Sequence, residues 1–283
     1  MTTASASGKV ILFGEHAVVY GRPAIAVPVA GLRAWASVAD APPGTGCTIV
    51  AADLNRRFPL ADAPPDDPLA LIVRLTLAKL NITSNPDWTI TLRSDIPIAS
   101  GLGSGAAVST AIVRALAEHV GRSLSPDIVS RLVYETERLH HGTPSGIDNT
   151  VVAYEQPVYF VRGQPPQPLR VGASFWLAIA DTGVASPTKI AVEDVRRAWQ
   201  ADQARYEALF DAMGHIAEAA CAAIEAGEVA KLGPLMDENQ RLLAAIGVSS
   251  PLLERLCAAA RRAGAGGAKL SGAGRGGNLI ALV

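Results

Sequence analysis

Apolar residues recur at helical spacing in two stretches of the first half of the chain. After a glycine cluster, they return every four residues and predict a helix that ends at Gly121, with its buried side at Val108, Ile112, Leu116 and Val120. A second helix is predicted to begin with Ser125 as its N-cap and Pro126 in its first turn. Its buried stripe is predicted to contain Ile128, Val129, Leu132, Val133 and Leu139.

Short apolar runs predict β-strands on both sides of these helices. Apolar and polar residues alternate over 88–92, which indicates a half-buried strand. Further strands are predicted at 9–13, 24–29, 175–180 and 279–283, and a loop over 40–68 that is interrupted by the short run Thr48–Ala51. Other helices are predicted at 69–82, between residues 193 and 247, and after Pro251. We find no internal repeat in this order of elements.

The length of 283 residues suggests about two domains, since domains commonly contain about 100–200 residues. Proline and glycine cluster at 163–172, which makes this segment the best candidate for a domain boundary. We therefore predict one domain over residues 1–168 and a second over residues 169–283. Because the last predicted strand ends without a polar tail, the sequence allows for a longer native chain beyond Val283.

The composition excludes several classes of protein. With 49% hydrophobic and 18% charged residues, the chain has ample apolar surface to bury and is not expected to be disordered. Its formal net charge of −1 lacks the basic excess of a nucleic-acid-binding protein. The 3 cysteines form no CxxC, which argues against a disulfide framework or a structural zinc site, and we expect them to be buried. Neither a signal peptide nor a membrane-spanning run is visible, so a cytoplasmic protein is expected.

The strongest local signal is the glycine-rich segment PIASGLGSGAA at residues 97–107, between a predicted strand and a predicted helix. Glycines let the backbone approach an anion, and the N–H groups at a helix start attract negative charge. The segment therefore favours a phosphate-binding loop. It lacks both the lysine of a GxxxxGK[ST] loop and the acidic residue of a dinucleotide-binding fingerprint. Taken alone, an ordinary glycine-rich turn is an equally good interpretation.

A second cluster, KVILFGEHAVVYG, places polar side chains where apolar residues are typical. Lys9, at the start of the predicted strand, could reach a phosphate or a hydroxyl group, and Glu15 and His16 follow at the strand's end. Taken singly, the favoured alternatives are a solvated edge charge for Lys9 and a hydrogen-bonded loop histidine for His16.

A third cluster, ERLHHGTPSGIDN, joins a predicted helix to a turn that presents Ser145, Asp148 and Asn149. An acidic residue on such a turn is suited to binding a metal or acting on a hydroxyl group. The alternative is that Asp and Asn only cap their own backbone. Spacing does not decide whether Glu135 or Glu137 faces a site.

A fourth cluster, at residues 264–278, is again dense in glycine. Lys269 or Arg275 could add positive charge to a loop that closes over phosphates, whereas a flexible interdomain turn is the alternative. Each cluster is a weak signal by itself, and their joint presence in one chain is a strong one.

In sequence and in order, the clusters resemble the GHMP small-molecule kinases, and most closely the branch of that family that phosphorylates mevalonate. The matching segments span residues 9–278. The resemblance implies a two-domain α+β fold, with an ATP- and substrate-binding N-terminal domain like domain 2 of ribosomal protein S5. It implies a ferredoxin-like C-terminal GHMP kinase domain, with the active site in the cleft between the two. The implied reaction is Mg²⁺-dependent phosphate transfer from ATP to the primary hydroxyl of mevalonate, in the mevalonate route to isoprenoids.

The resemblance also implies roles for individual residues. Asp148 would be the catalytic aspartate, Lys9 its positively charged partner, and Glu137 with Ser104 the Mg²⁺ ligands. The mevalonate pocket would be lined by Glu15, His16, Ser145 and Thr182. ATP would be held by Pro97, Ser100, Gly101, Leu102, Gly103, Ser104, Gly105, Ala106, Ala107, Gly272 and Gly274. A homodimer is a further hypothesis.

Two positions depart from the family pattern. The usual ATP loop ends in two serines, and Gly105 here removes one hydroxyl that ligates Mg²⁺ or phosphate in the family. Arg275 stands where the third motif has a glycine, and it would either contact phosphate or point to solvent. Both changes bear on nucleotide affinity more than on reaction type. Homoserine, galactose or phosphomevalonate kinases, and an inactive nucleotide-binding sensor on the same fold, are the alternatives.

Overall fold

Two units of the chain are each assembled from separate segments of the sequence. The computed structural model describes residues 1–97, 100–141, 144–185 and 188–283. Unit 1 consists of Met1–Gly8, Pro28–Pro97 and Gly103–Glu155, and unit 2 consists of Lys9–Val27, Ile98–Leu102 and Gln156–Val283. The predicted linker at 163–172 thus lies inside unit 2. The boundary between residues 168 and 169 stays a prediction.

Unit 1 combines β-strands with four helices that contact one another. Its strands run in the order β4 (Arg56–Pro59), β3 (Thr48–Ala51), β5 (Trp88–Ser94) and β2 (Ala24–Asp40). β3 pairs parallel with β5, and the pairings of β3 with β4 and of β5 with β2 are antiparallel. The helices are α1 (Pro68–Lys79), α2 (Ser104–His119), α3 (Pro126–His141) and α4 (Ile147–Tyr154).

The hydrophobic pattern accounts for most of unit 1. In β5, Ile90 and Leu92 are buried while Thr91 and Arg93 between and beside them are exposed, which confirms the predicted alternation. Asp67 accepts a hydrogen bond from the backbone N–H of Ala70 (3.0 Å) and so caps α1. One prediction is wrong on α3: Leu139 is exposed, because the buried face continues through Thr136 and Glu137 instead.

Unit 2 contains a three-stranded antiparallel sheet in the order β8 (Leu177–Asp181), β10 (Asn278–Leu282) and β9 (Gly267–Ser271). Helices α7 (Leu232–Ala245) and α8 (Pro251–Arg262) contact β9, whose five residues are all buried. The remaining helices are α5 (Thr188–Ala201) and α6 (Gln203–Ala226). Two short strands, β6 (Val158–Phe160) and β7 (Gln167–Pro168), pair with each other, and β6 also pairs with Ala24–Ala26 of β2.

Two strands pass through both units. β1 (Thr2–Phe13) pairs with β2, and both are longer than the runs at 9–13 and 24–29 that the sequence predicted. The architecture is α+β, as expected. Cys47 and Cys257 are buried thiols, whereas Cys221 is only partly buried. Burial raises the pKa of Cys47 to about 11. Within the described ranges, no helix is both long and apolar enough to cross a membrane.

Candidate active site

In unit 1, the end of the predicted phosphate loop leads directly into a helix. α2 begins at Ser104, immediately after Gly103, whose φ of 75° lies in the left-handed region. Among the described residues, no side chain caps this N-terminus. Because the first N–H groups of a helix lack partners within it and carry the positive end of its dipole, the start of α2 is suited to an anion. Residues 98 and 99 of the loop lie outside the described residues.

Glu137 lies against that same helix start. A Cβ atom added at Gly105 would lie 3.3 Å from Oε1 of Glu137, and the Glu137 side chain is 5% exposed. The preceding residue of α3, Thr136, hydrogen-bonds through its hydroxyl to the hydroxyl of Ser109 on α2 (3.3 Å). Glu135 instead points to solvent, where it pairs with Arg138 at 2.9 Å. The structure therefore selects Glu137, rather than Glu135, as the carboxylate beside the loop.

Asp148 lies in the first turn of α4, not in an open turn as the sequence suggested. Gly146, with a φ of 93°, precedes the helix, and the hydroxyl of Ser145 accepts a hydrogen bond from the N–H of Ile147 (3.3 Å). Asn149 is buried and donates to the hydroxyl (2.8 Å) and the carbonyl (3.1 Å) of Ser130 on α3. These bonds fix the start of α4 on α3. Asn149 is thus a tether between helices rather than a backbone cap, and residues 142 and 143 lie outside the described part of this segment.

Lys9 lies on β1 in unit 2 and is 2% exposed, so it is not a solvated edge charge. Its backbone N–H donates to the carbonyl of Leu102 (2.9 Å), which joins the strand to the first part of the glycine-rich loop. A lysine buried to this extent needs a partner of opposite charge or polarity. This environment is consistent with the role that the resemblance implies for it.

His16 occupies a tight turn at the end of β1. Its φ of 60° is unusual for a residue with a side chain, and Gly14 two residues earlier has a φ of 88°. The Nε2 atom of His16 lies 3.0 Å from the carbonyl oxygen of Ala273, which can only accept, so Nε2 carries the proton. Burial lowers the pKa of His16 to about 4. The imidazole is therefore neutral near pH 7, with Nδ1 as an acceptor.

Glu15 and Lys269 form an ion pair in the interior of unit 2. Their side chains are 1% and 0% exposed, and the Lys269 ammonium also donates to the carbonyl of Leu270 (2.7 Å). Loss of hydration raises the pKa of Glu15 and lowers that of Lys269. Lys269 thus lies inside β9 and not on a loop that could close over phosphates. Glu15, expected in the mevalonate pocket, is enclosed by unit 2.

The two glycine-rich segments approach each other within unit 2. Asn278 donates to the carbonyl of Ser100, and the Cβ position of Gly272 lies 3.8 Å from the carbonyl of Gly101. Ser271 donates to the carbonyl of Ile11 and accepts from its N–H, both at 3.0 Å. The structure therefore brings together three of the residues predicted to hold ATP. The tethers Ser271 and Asn278 were not singled out from the sequence, although polar side chains in a buried strand could have indicated them.

Comparisons with known proteins agree with this arrangement. The sequence models of the GHMP kinases N terminal domain and of the GHMP kinases C terminal match residues 70–156 and 220–283. A mevalonate kinase from Pyrococcus horikoshii is 35% identical over 99% of this chain and 88% of its own length. The chain belongs to the GHMP kinase family. The expected two-domain GHMP fold is thereby confirmed.

Two solved structures are similar over nearly the whole of this GHMP kinase. The crystal structure of L. major mevalonate kinase in complex with R-mevalonate has a TM-score of 0.81 and 30% identity, and covers 100% of this chain and 87% of its own. The Methanococcus jannaschii mevalonate kinase has a TM-score of 0.86 and 26% identity, and covers 99% of this chain and 90% of its own.

Arg275, the departure from the third family motif, is held by contacts within unit 2. Its guanidinium forms an ion pair with Asp194 on α5, and its backbone N–H donates to the carbonyl of Val248 (2.6 Å). Nearby, the N–H of Thr182 donates to the carbonyl of Gly277 (2.9 Å). In this GHMP kinase, the contacts of Arg275 and Thr182 thus help to hold the glycine-rich segment at residues 264–278 against the rest of unit 2.

Proposed function

We propose that this GHMP kinase transfers the γ-phosphate of ATP to the primary hydroxyl of mevalonate, giving 5-phosphomevalonate and ADP. The observation that carries the proposal is similarity over nearly the full chain to mevalonate kinases at 35% and 36% identity, together with a homologue solved with R-mevalonate at 30% identity. The environments of Lys9, Glu137 and Asp148 support it, since each lies on a regular element and none is fully exposed.

In the proposed reaction, the hydroxyl oxygen of mevalonate attacks the γ-phosphorus, and the bond from that phosphorus to the β–γ bridging oxygen breaks. ADP leaves with the electron pair of that bond. Asp148 accepts the hydroxyl proton or orients the hydroxyl, and Lys9 supplies positive charge where negative charge develops. Phosphoryl transfer needs positioning and charge neutralisation more than covalent help. The tether from Asn149 to Ser130 supports a fixed Asp148.

Glu137 and Ser104 have the chemistry to hold the magnesium ion of MgATP. Carboxylate and hydroxyl oxygens suit Mg²⁺, which is commonly held by one or two carboxylates together with substrate phosphates and waters. The small Gly105 leaves room beside the Glu137 carboxylate. When bound, the ion would neutralise charge on the phosphates. Among the described residues, no group of three or more His, Cys, Asp and Glu could hold a metal.

The first experiment measures ADP release with MgATP on mevalonate, phosphomevalonate, homoserine and galactose. We expect turnover on mevalonate alone. Turnover on another of these compounds would leave the assignment to the GHMP kinases intact but replace mevalonate as the proposed substrate. If no ADP is released with any of the four substrates although ATP still binds, an inactive nucleotide-binding sensor on the same fold would be favoured.

A second experiment tests the residue assignment. Asp148→Asn should lower kcat for mevalonate by roughly 10²–10⁴-fold, the usual contribution of a general base, while the Kd for ATP stays unchanged. Asp127→Asn is the matched control, because it makes the same charge change at an exposed position in the first turn of α3. An Asp148→Asn protein that turns over like the parent would overturn the role of Asp148.

A further inference from the structure

The buried pair of Glu15 and Lys269 is not explained by stability. Both side chains are almost completely enclosed, so each has lost its hydration. Their mutual attraction seldom does more than offset that loss, and apolar residues of similar size often stabilise a fold equally well or better. One carboxylate oxygen of Glu15, Oε2, has no hydrogen-bond partner in the described part of the chain, which adds to the cost.

The pair adjoins a turn that needs to be held. His16 combines a φ of 60° with a ψ of −48°, and a conformation of this kind persists only where surrounding contacts impose it. No residue with a side chain fits at Gly14, because a Cβ there would overlap the backbone of Pro23 and Ala24. The turn formed by Gly14, Glu15 and His16 therefore depends on external contacts.

The side chains of Glu15 and His16 both contact one element, β9 with the glycine turn that follows it, while the N–H of Gly14 donates to Asn239 on α7 (3.5 Å). Glu15 pairs with Lys269 in the middle of β9, and Ser271 at its end holds the backbone of Ile11. His16 hydrogen-bonds to Ala273 in the glycine turn. The ion pair lies in the middle of this set of contacts. Since β9 is itself buried and contacts both α7 and α8, it is a well-packed reference for the turn.

We propose that Glu15 and Lys269 are a positioning pair, which sets the Gly14–His16 turn in register with the glycine turn at residues 272–274. Neither side chain then touches substrate or phosphate. The inference rests on the proposed function only in so far as the two turns are assigned to mevalonate and ATP. It gives Glu15 a different task from the pocket-lining role that the resemblance implies.

Glu15→Asp is the sharpest test, because it keeps both charges and shortens the side chain by one methylene. The carboxylate can then reach Lys269 only if the turn moves. We expect a Tm close to that of the parent and a kcat/KM for mevalonate lower by roughly 10–100-fold, the loss that a misplacement of about 1 Å can cause. An unchanged kcat/KM would overturn the proposal.

The paired removal of both charges separates positioning from folding. Lys269→Met alone should lower the Tm by on the order of 10 °C, because it leaves a buried carboxylate without its partner. In the double variant Glu15→Gln with Lys269→Met, we expect most of the Tm loss of Lys269→Met to be recovered, while kcat/KM stays low. Recovery of both together would reduce the pair to a structural one. The exposed pair of Glu228 and Lys231, changed in the same way, is the matched control and should alter neither quantity.

Amide hydrogen exchange gives a readout that does not need the substrate. At a temperature well below the Tm of each protein, the double variant should exchange faster at residues 14–16 and 272–274 than the parent, with β5 unchanged. If the parent fails to phosphorylate mevalonate, the proposed function fails and this measurement still decides the inference. Equal exchange rates in both proteins would contradict the positioning role of the pair and leave the proposed function untouched.

Discussion

The two glycine-rich segments of the chain have similar compositions but use their glycines differently. Gly101, in the first segment, has a φ of 85°, and a Cβ there would meet nothing closer than the carbonyl of Ser271 at 3.9 Å. In the second segment, a Cβ at Gly274 would overlap the carbonyl of Val248, and one at Gly276 would lie 2.5 Å from the carbonyl of Val184. Conformation alone explains Gly101, lack of space alone explains Gly276, and both apply to Gly274, whose φ is 77°.

This difference separates a surface that could receive a ligand from the support behind it. A Cβ would fit without overlap at Gly101 and at Gly272, so what favours glycine at both positions is the left-handed φ, which for Gly272 is 93°. A glycine backbone in such a conformation can approach an anion closely. Gly274 and Gly276 have their space filled by their own unit. A dense run of glycines is therefore not by itself a phosphate loop, and each glycine has to be judged by what surrounds it.

The largest effect is expected at Gly274. Gly274→Ala combines a left-handed φ of 77° with overlap on the Val248 backbone. We expect the free energy of unfolding to fall by about 3 kcal/mol, the sum of typical overpacking and left-handed costs. Chemical denaturation would measure it. Gly247→Ala is the control, because Gly247 has a φ of 82° and open space around it, and it should lose only about 1 kcal/mol. Equal losses would show that the lack of space at Gly274 contributes nothing.

Gly101→Ala should affect binding more than folding. Its left-handed φ costs about 1–2 kcal/mol, and the new methyl group would stand where the backbone is proposed to approach ATP. We expect a several-fold higher KM for ATP with an unchanged KM for mevalonate. Gly121→Ala imposes a similar strain, with a φ of 67° and no neighbour within 4 Å, at the end of α2. A rise of the ATP KM in both variants would assign the effect to strain.

Gly105 allows a smaller and more specific test. Gly105→Ser would restore the hydroxyl of the usual family loop next to the Glu137 carboxylate, and we expect the KM for MgATP to fall a few-fold. The free energy of unfolding should change by only a few tenths of a kcal/mol, because the better helix propensity of serine is offset by the close approach of its Cβ to Glu137 (3.3 Å). Gly105→Ala supplies the helix propensity without the hydroxyl. If the alanine variant lowers the KM equally, the hydroxyl is not the cause.

The sequence predicted most elements of the fold because their periodicity is strong. The strand β5 (Trp88–Ser94) covers the predicted run at 88–92, and α2 and α3 begin at or next to their predicted starts. β9 was missed because its alternation is hidden: all five of its residues are buried, including Lys269 and Ser271. The helix α4 was read as a turn because it is short and follows a glycine and proline cluster.

The site was predictable as a set of residues but not as a set of contacts. Sequence motifs identified Glu15, Lys269 and Arg275 as polar residues next to glycines, a position typical of ligand binding. In the structure, Glu15 forms an ion pair with Lys269, and Arg275 forms one with Asp194, which is 81 positions away in the chain. Pairings over such separations depend on how the chain folds back, and local pattern does not contain that information.

The smallest effect is expected at Arg275, the one side chain inserted among the glycines of the second segment. Arg275→Gly removes the partly exposed pair with Asp194, worth about 0–1 kcal/mol, and relieves a left-handed φ of 63°, which costs about as much. The two changes should nearly cancel in the free energy of unfolding. The KM for ATP should also stay the same, because the guanidinium is bound to α5. Asp194→Asn tests the same pair from its other side and should leave that KM unchanged. A tenfold rise in the ATP KM of Arg275→Gly would mean that the guanidinium reaches phosphate, so that Arg275 would contribute to binding and not to the support behind it.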